Sequence, residues 1–202
     1  MKKTIYRTLF FCLSVIALAG CELELQKNYD YEASVDDPHV NVTAWEYFQD
    51  HQDMFSEFTT AIEYTGLKDY YTQTENKYTY LALNNTAMQS YRENAFPGIA
   101  SITDCDKETV KNMLLYHIVD GEYSSYGQLQ VEAMFVLTML PGEKGLMTMS
   151  VWKNPWQAAV GKILVNETGS NGKSPQRNAK TSNILPTNGV IHIFEKYCYY
   201  QK

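Results

Sequence analysis

The chain has 202 residues, of which 45% are hydrophobic and 20% charged. That is enough apolar material for one globular domain with a hydrophobic core, and too few residues for two independently stable domains. The 17 basic and 23 acidic residues give a formal net charge of −6, and a negative chain repels phosphate backbones, which excludes nucleic acid as a partner.

The first twenty residues have the pattern of a signal peptide. Three basic residues precede an apolar run over residues 9–18, which is too short to span a bilayer. The run ends in Leu18-Ala19-Gly20-Cys21, which resembles the bacterial lipobox. That resemblance implies cleavage before Cys21 and a diacylglycerol on its sulfur, whose acyl chains hold the protein on a membrane. The alternative is an ordinary signal peptide followed by a chance cysteine.

The segment after the signal peptide is predicted to be a polar tether. Residues 21–41 lack helical or strand periodicity, and residues 42–202 form the predicted folded domain. Removing residues 1–20 removes three basic residues and no acidic one. The remaining chain carries 14 basic and 23 acidic side chains, a net charge of about −9.

Two cysteines remain in the predicted domain once Cys12 and Cys21 are assigned to the signal peptide and the lipid. Cys105 and Cys198 lie in a compartment that permits disulfides. If they pair, they close a loop of about 90 residues and contribute up to roughly 4–5 kcal/mol on the chain-entropy model. The alternative is two isolated buried thiols, and the sequence leaves both open.

The first half of the domain is predicted to be mainly helical. Thr43 and Glu46 fit a capping box at the start of a helix. Apolar residues at spacings of three and four continue the helical pattern to Gly66, which is the predicted C-cap. Further helices are predicted over residues 86–91, where Asn84-Asn85 can supply the N-cap, and over residues 107–116.

Strands are predicted mainly in the second half of the domain. Asn188-Gly189 predicts a tight type I′ turn that leads into the last strand. Both faces of that strand, over residues 190–194, are mostly apolar, so it is expected to be covered on both sides with His192 inside. Because helices come first and strands later, the predicted class is α+β. The other predicted strands cover residues 77–83, 133–140, 146–152, 163–165 and 181–187.

Three stretches resemble the motifs of the fasciclin domain family. Residues 78–88, Y-T-Y-L-A-L-N-N-T-A-M, resemble its first motif, roughly T-V-F-A-P-T-N-x-A-F. Residues 114–121, L-L-Y-H-I-V-D-G, resemble its middle motif around a Tyr-His pair. Residues 187–194, T-N-G-V-I-H-I-F, resemble its motif T-N-G-x-x-H-x-h, in which h is apolar. Leu83-Asn84 replaces the Pro-Thr of the first motif, and the usual L-x-P close is absent from the sequence.

The resemblance implies a single fasciclin-like α+β domain with N-terminal helices packed on a β-wedge or sandwich. It also implies adhesion to proteins or glycans without catalysis, on a bacterial cell envelope and most naturally the outer membrane. The alternative partner is an outer-membrane importer of glycans or peptides, for which this chain is an accessory lipoprotein subunit. The matching residues are expected to be structural: Asn85, Tyr116, His117, Asn188, Gly189 and His192.

His117 and His192 are the residues best suited by chemical type to a catalytic or metal-binding role. Either they bind a metal or transfer protons, or they bridge backbone groups inside the core. Neither has a carboxylate or cysteine nearby at ligand spacing, which favours the structural interpretation. The sequence contains no catalytic, phosphate-binding or calcium-binding motif. We therefore predict no cofactor and no metal.

Aromatic residues are the candidates for a binding surface. Tyrosine and tryptophan offer flat apolar faces with polar edges, which suit sugar rings and protein partners. Trp152 and Trp156 flank a turn and are the leading candidates, although both indoles would also suit the core. A chain with a net charge near −9 attracts anionic partners only weakly, so neutral sugars or apolar protein patches are the expected ligands. The tyrosines near the C-terminus form either a frayed tail or a second contact strip: Tyr197, Tyr199 and Tyr200.

Overall fold

The computed structural model describes residues 37–152, 161–167 and 174–199, which form five α-helices, two short 3-10 helices and two four-stranded sheets. Helices α1 to α5 are Ala44–Asp50, Gln52–Thr65, Lys68–Thr72, Asn85–Ala95 and Lys107–Tyr116. Strands β1 to β8 are Tyr78–Leu83, Ile118–Asp120, Met134–Leu137, Leu146–Val151, Ile163–Val165, Arg177–Asn178, Thr181–Ile184 and Gly189–Phe194. The 3-10 helices are Ile102–Asp104 and Glu143–Gly145. The predicted α+β class is confirmed.

Local capping chemistry sets the helix ends. The Thr43 side chain accepts a hydrogen bond from the Glu46 N–H, and the Glu46 carboxylate accepts one from the Thr43 N–H at 2.7 Å, so the predicted capping box is confirmed. Helix α2 ends at Gly66 in the left-handed conformation, with φ of 76°. The Asn84 side chain accepts from the Ala87 N–H at 2.9 Å and starts α4, which continues to residue 95 rather than to the predicted residue 91.

The first sheet has the strand order β2-β1-β8-β7 and is built around a parallel pair. The register of β1 with β8 begins at Tyr78 opposite Gly189 and ends at Leu83 opposite Phe194. Every residue of both strands is buried. A strand covered on both faces must be apolar on both, which is the pattern that the sequence of β8 carries.

The second sheet has the order β3-β4-β5-β6, and its strands are antiparallel. It joins the first sheet at two places. An isolated bridge pairs Val119 with Thr138 between β2 and the end of β3. Between β6 and β7, the Ala179 N–H donates to the carbonyl of Ile163 in β5 at 2.9 Å. The next N–H, of Lys180, donates to the carbonyl of Ile193 in β8 at 2.7 Å. The two sheets therefore share part of one core.

The turn before β8 differs from the prediction. Strand β7 ends at Ile184 and β8 begins at Gly189, so four residues separate them instead of two. A type I′ turn requires a positive φ at both of its central residues. Gly189 has a positive φ, 150°, but Asn188 does not, and the asparagine in this region with a positive φ, 62°, is Asn183. The predicted Asn-Gly type I′ turn is therefore wrong.

Asn188 and Gly189 are instead held by contacts distant in sequence. The buried Asn188 side chain accepts from the Ala44 N–H at 2.8 Å and donates to the carbonyls of Tyr71 at 2.8 Å and residue 73 at 3.1 Å. It thus joins the start of α1 and the end of α3 to β8. A Cβ on Gly189 would lie 1.9 Å from the Tyr78 carbonyl oxygen, so only glycine fits against β1 here.

An aromatic cluster fills the core beneath the N-terminal helices. Its rings contact one another at centroid distances of 5.0 Å for Phe48 with Phe55, 5.4 Å for Phe48 with Phe58 and 5.1 Å for Tyr71 with Tyr80. All five are fully buried, and complete burial of one such side chain stabilises a fold by about 1.5–3 kcal/mol. These rings lie among the helices and the first sheet, and one face of β4 and β5 in the second sheet joins the same hydrophobic core.

Candidate functional site

His117 lies buried directly after α5 and joins two backbone groups. Its Nδ1 is 2.7 Å from the Met113 carbonyl oxygen, and its Nε2 is 3.0 Å from the Cys198 backbone nitrogen. Because a carbonyl only accepts and a peptide N–H only donates, the ring is neutral with its proton on Nδ1. Burial lowers the pKa of His117 to about 4, while the bond to Met113 opposes that change.

His192 makes the equivalent pair of contacts from the middle of β8. Its Nε2 is 2.8 Å from the Tyr123 carbonyl oxygen, and its Nδ1 accepts from the Asn183 N–H at 3.1 Å. Burial lowers the pKa of His192 to about 4 as well. Both nitrogens of each ring are engaged by the backbone, which leaves no lone pair for a metal ion and no proton for a substrate.

Cys105 and Cys198 are buried free thiols, so they do not form a disulfide. The Cys105 sulfur is 3.5 Å from the Ser101 carbonyl, and the Cys198 sulfur is 3.9 Å from the Lys196 carbonyl. Burial raises the pKa of both thiols, which keeps them protonated and unreactive at neutral pH. The alternative of two isolated thiols therefore describes this fold.

Two further motif residues hold elements together. The Asn85 side chain accepts from the Glu57 N–H and donates to the Asp53 carbonyl, both at 3.0 Å, which fixes α4 against α2. The Tyr116 hydroxyl donates to the side-chain oxygen of Asn166 at 2.8 Å and joins α5 to the end of β5. These contacts join helices and strands of the fold, the one from Asn85 near the surface and the one from Tyr116 in the interior.

The aromatic candidates separate into exposed and buried residues. Trp152 follows β4 and has 50% of its surface exposed. Tyr199 is only 2% exposed and packs against Tyr116 at 4.8 Å, so the prediction that it contacts a partner is wrong. Tyr197 is half-buried, with its ring 5.4 Å from that of Tyr91. Three predicted residues lie outside the described ranges: Cys21, Trp156 and Tyr200.

Strand register places one row of side chains on the face of the second sheet that is turned away from the hydrophobic core, where Ser150 and Leu164 are buried and Trp152 is exposed. Alternate residues of β4 join the core, and Ser150 points to the other face. Ser150 pairs with Leu164 of β5, and Leu164 pairs with Asn178 of β6. Trp152 follows Ser150 by two residues and so continues the same face at the end of β4.

A cleft of about 380 Å³ lies on this face. We name it the Trp152 cleft. Its apolar surface comes from one indole and one leucine, and its polar surface from two amides, one ammonium and one carboxylate. A flat ring beside a few convergent polar groups is an arrangement that holds a small polar ligand such as a sugar. The lining residues are Trp152, Lys162, Leu164, Glu167, Gln176 and Asn178.

Neighbouring contacts fix the walls of the Trp152 cleft. The Trp152 N–H donates to the Lys162 carbonyl at 2.9 Å, which holds the end of β4 against the start of β5. A Cβ on Gly161 would lie 1.6 Å from the Trp152 carbonyl oxygen and 2.9 Å from the indole carbon Cε3, so glycine permits this approach. The Ser150 hydroxyl donates to the Glu167 carboxylate at 2.7 Å and orients it.

Most of these residues carry no signal in the sequence. Leu164, Glu167, Gln176 and Asn178 come from separate stretches, and only the pairing of β4, β5 and β6 brings them together. In the ranges that the structure describes, no group of three or more His, Cys, Asp or Glu side chains is placed to hold a metal ion. No helix within those same ranges is long and apolar enough to cross a bilayer.

Comparison with known proteins adds a family and a relative. The family model described as Fasciclin domain matches residues 53–198. Periostin of Homo sapiens is 27% identical over 150 residues, which cover 72% of this chain and 14% of periostin. The chain therefore spans about a seventh of the length of this curated relative.

Comparison with solved structures concerns the fold. The FAS1 domain pair from the insect cell adhesion molecule Fasciclin I matches with a TM-score of 0.54 and 15% identity. The match covers 79% of this chain and 51% of that one, so the chain spans about half of the pair. At this identity the likeness shows the fold alone, and it confirms the predicted fasciclin-like architecture of helices with two sheets.

Proposed function

The chain belongs to the fasciclin domain family, and we propose that it is a lipid-anchored binding module of a bacterial cell envelope. The fasciclin domain is a non-catalytic adhesion module. Histidines whose ring nitrogens are all engaged by backbone groups are consistent with that role, because they have no free nitrogen for acid–base work.

The anchoring part of the proposal is supported by Leu18-Ala19-Gly20-Cys21 after a short apolar run. A diacylglycerol on Cys21 would hold the chain on the outer membrane. Residues 21–37 would then act as a flexible tether, which as a random coil spans about 23 Å. Residues 38–41 of the predicted tether belong to the domain instead, because the Val40 N–H donates to the Leu185 carbonyl and the Leu185 N–H donates to the Pro38 carbonyl, both at 2.9 Å. The domain would bind partners at that distance from the lipid.

The binding part of the proposal is supported by one observation above the others, the exposed indole of Trp152 beside Leu164 and two side-chain amides. An indole face stacks on the apolar face of a sugar ring or an apolar protein side chain. The amides of Gln176 and Asn178 both donate and accept, which suits hydroxyl or peptide groups. We therefore propose that the Trp152 cleft contacts glycans or proteins.

Replacement of the indole tests the proposed site. We expect Trp152→Ala to weaken binding to a panel of purified polysaccharides and extracellular matrix proteins by about tenfold or more, because an aromatic anchor in a cleft contributes strongly to binding. Tyr126→Ala is the matched control, since Tyr126 is also exposed but does not line the cleft. Thermal melting of both variants separates lost binding from lost folding.

Two results would contradict the proposed site. Wild-type affinity in Trp152→Ala would place the contact elsewhere. Equal losses in Trp152→Ala and Tyr126→Ala would show that binding depends on general aromatic surface and not on this cleft.

A second candidate function is an accessory lipoprotein subunit of an outer-membrane importer. It is favoured by apolar side chains on β3, which lies at the end of the second sheet: Phe135 is 59% exposed and Leu137 is 63% exposed. An apolar edge strand suits packing against another protein. Co-purification of an integral outer-membrane transporter that is lost in Phe135→Ser/Leu137→Ser but kept in Trp152→Ala would favour this function over the first.

A further inference from the structure

A second cleft, of about 360 Å³, adjoins the Trp152 cleft. We name it the basic cleft. Its charged residues come from four places in the chain: Lys162 before β5, Arg177 in β6, Lys180 before β7, and Glu195 with Lys196 after β8. The full lining is Lys162, Gln176, Arg177, Asn178, Ala179, Lys180, Glu195 and Lys196.

The basic cleft carries charge of the opposite sign to the whole chain. Four of its lining side chains are basic and one is acidic, whereas the formal net charge of the protein is −6. Lys180 lies 3.5 Å from Glu195, but both side chains are largely exposed, so this pair holds little energy. Within the described part of the chain, Lys162 and Lys196 form no ion pair.

Arg177 is the fixed cation of the basic cleft. Its Nε donates to the Tyr197 carbonyl at 3.1 Å and its Nη1 donates to the Gln176 carbonyl at 3.0 Å. A guanidinium has five N–H donors in a rigid plane, so these two bonds orient the group and leave further donors for an anion. The lysines around it are flexible and supply point charges.

The two clefts share part of their lining. Lys162, Gln176 and Asn178 belong to both, so the cleft that holds the exposed indole and the cleft that holds the other three cations meet at one lysine and two amides. A ligand that fills both clefts needs a flat apolar face at Trp152, hydroxyl groups at the shared amides and an anionic group at Arg177.

From this juxtaposition we propose that the basic cleft binds the carboxylate or sulfate of an acidic glycan, while a neighbouring sugar ring stacks on Trp152. The proposal rests on the proposed function of the Trp152 cleft and names its ligand class. Charge-assisted hydrogen bonds from Arg177 would hold the anionic group. A glycan fits better than an acidic peptide because a sugar ring presents a flat apolar face to the indole while its hydroxyls reach Gln176 and Asn178, the two amides among the three shared residues.

An acidic glycan with widely spaced anionic groups also avoids the repulsion by the negatively charged protein surface that excludes nucleic acid. Beyond about 8 Å at physiological salt, charges on the rest of the protein are largely screened. A glycan with one anionic group for every one or two sugars can therefore meet the basic cleft locally, whereas a polyphosphate of high charge density meets the whole negative surface.

Matched polymers test the ligand class. The carboxylate pair is oligogalacturonate and its methyl-esterified form, and the sulfate pair is a dextran sulfate of low substitution and dextran. In calorimetric titrations of the tethered domain we expect at least one acidic member to bind more tightly than its neutral partner. We expect Lys162→Gln/Lys196→Gln to weaken that binding by about tenfold, because it removes two cations and leaves polar side chains only one atom shorter.

The matched control changes the same charge elsewhere. Lys107→Gln/Lys111→Gln removes two cations from α5, which lines neither cleft, and is expected to retain wild-type affinity. Equal losses in the two double variants would overturn the proposal, because they would show a general charge effect. Binding of poly-glutamate as tight as that of the acidic glycans, with the same dependence on the lysines, would also overturn it in favour of an acidic peptide.

Failure of this inference is distinguishable from failure of the proposed function. If Trp152→Ala abolishes binding but the acidic and neutral polymers bind equally well, the Trp152 cleft stands and the acidic ligand class is wrong. If Trp152→Ala binds like wild type, the proposed function of that cleft fails, and the combined groove fails with it. Absence of binding to all four polymers would overturn the glycan assignment.

Discussion

Acidification is a sensitive test of the two buried histidines. In the folded protein the pKa of His117 and of His192 is about 4, against an ordinary value of 6.5. Between these values the unfolded chain binds one more proton per histidine than the folded chain does. The free energy of unfolding is therefore expected to be constant above about pH 7 and to fall as the pH drops from 6.5 to 4.

The size of the effect follows from the two pKa values. Each unit of difference corresponds to about 1.4 kcal/mol, so one histidine contributes on the order of 3 kcal/mol across the window. Two such rings together contribute about 6 kcal/mol, which is comparable with the whole stability of a typical domain, about 5–15 kcal/mol. We therefore expect substantial loss of folded protein before pH 4 is reached.

Urea denaturation followed by circular dichroism at pH 7.5, 6.5, 5.5 and 4.5 measures this dependence. His192→Phe and His117→Phe each remove one titration and keep a planar aromatic ring, although the phenyl ring is larger than the imidazole. Each is expected to lower stability at pH 7.5 by about 1–3 kcal/mol through lost buried hydrogen bonds. Each is also expected to halve the slope of stability between pH 6.5 and 4.5. Equal slopes in wild type and both variants would refute the assignment of the pH dependence to these rings.

Three other variants test separate parts of the structure. Asn188→Ala removes three buried hydrogen bonds and is expected to lower the free energy of unfolding by about 3–5 kcal/mol, whereas the exposed Asn94→Ala should change it little. Gly161→Ala introduces a Cβ against Trp152, so denaturation should show a loss of about 1–3 kcal/mol and binding at the Trp152 cleft should weaken; unchanged binding would mean that this contact does not position the indole. Cys21→Ser should release the protein from membranes or leave its precursor uncleaved, and unchanged fractionation and mass would refute lipidation.

The elements predicted well from sequence are those that local chemistry sets. Thr43, Gly66 and Asn84 act within their own helix ends, and each makes the predicted cap. The apolar pattern of β8 likewise requires burial on both faces wherever the strand lies in the sheet. The caps need only neighbours a few positions away, and the apolar pattern of β8 records burial on both faces without specifying its partner strand, so a single sequence contains this information.

The predictions that failed concern residues whose partners are distant in sequence. Asn188-Gly189 satisfies the rule for a two-residue turn, yet three hydrogen bonds to α1, α3 and residue 73 draw the asparagine inward and close a longer loop. Tyr199 lies in a tyrosine-rich C-terminal segment whose composition is typical of a surface tail, yet its ring packs on Tyr116 of α5. In both cases a long-range contact outweighs a local preference of about 1 kcal/mol or less.

The charges of the candidate site likewise depend on contacts between residues that are distant in sequence. The formal net charge of −6 predicts weak attraction to anions, and this remains sound for ligands that sense the whole surface. A ligand seated in a cleft mainly senses charges within about one Debye length, roughly 8 Å. The four cations of the basic cleft are spread over residues 162–196 and become neighbours only because β5, β6 and the ends of β7 and β8 pair in one register. Net charge therefore bears on how a partner approaches this protein, while strand pairing decides which charges a bound partner meets.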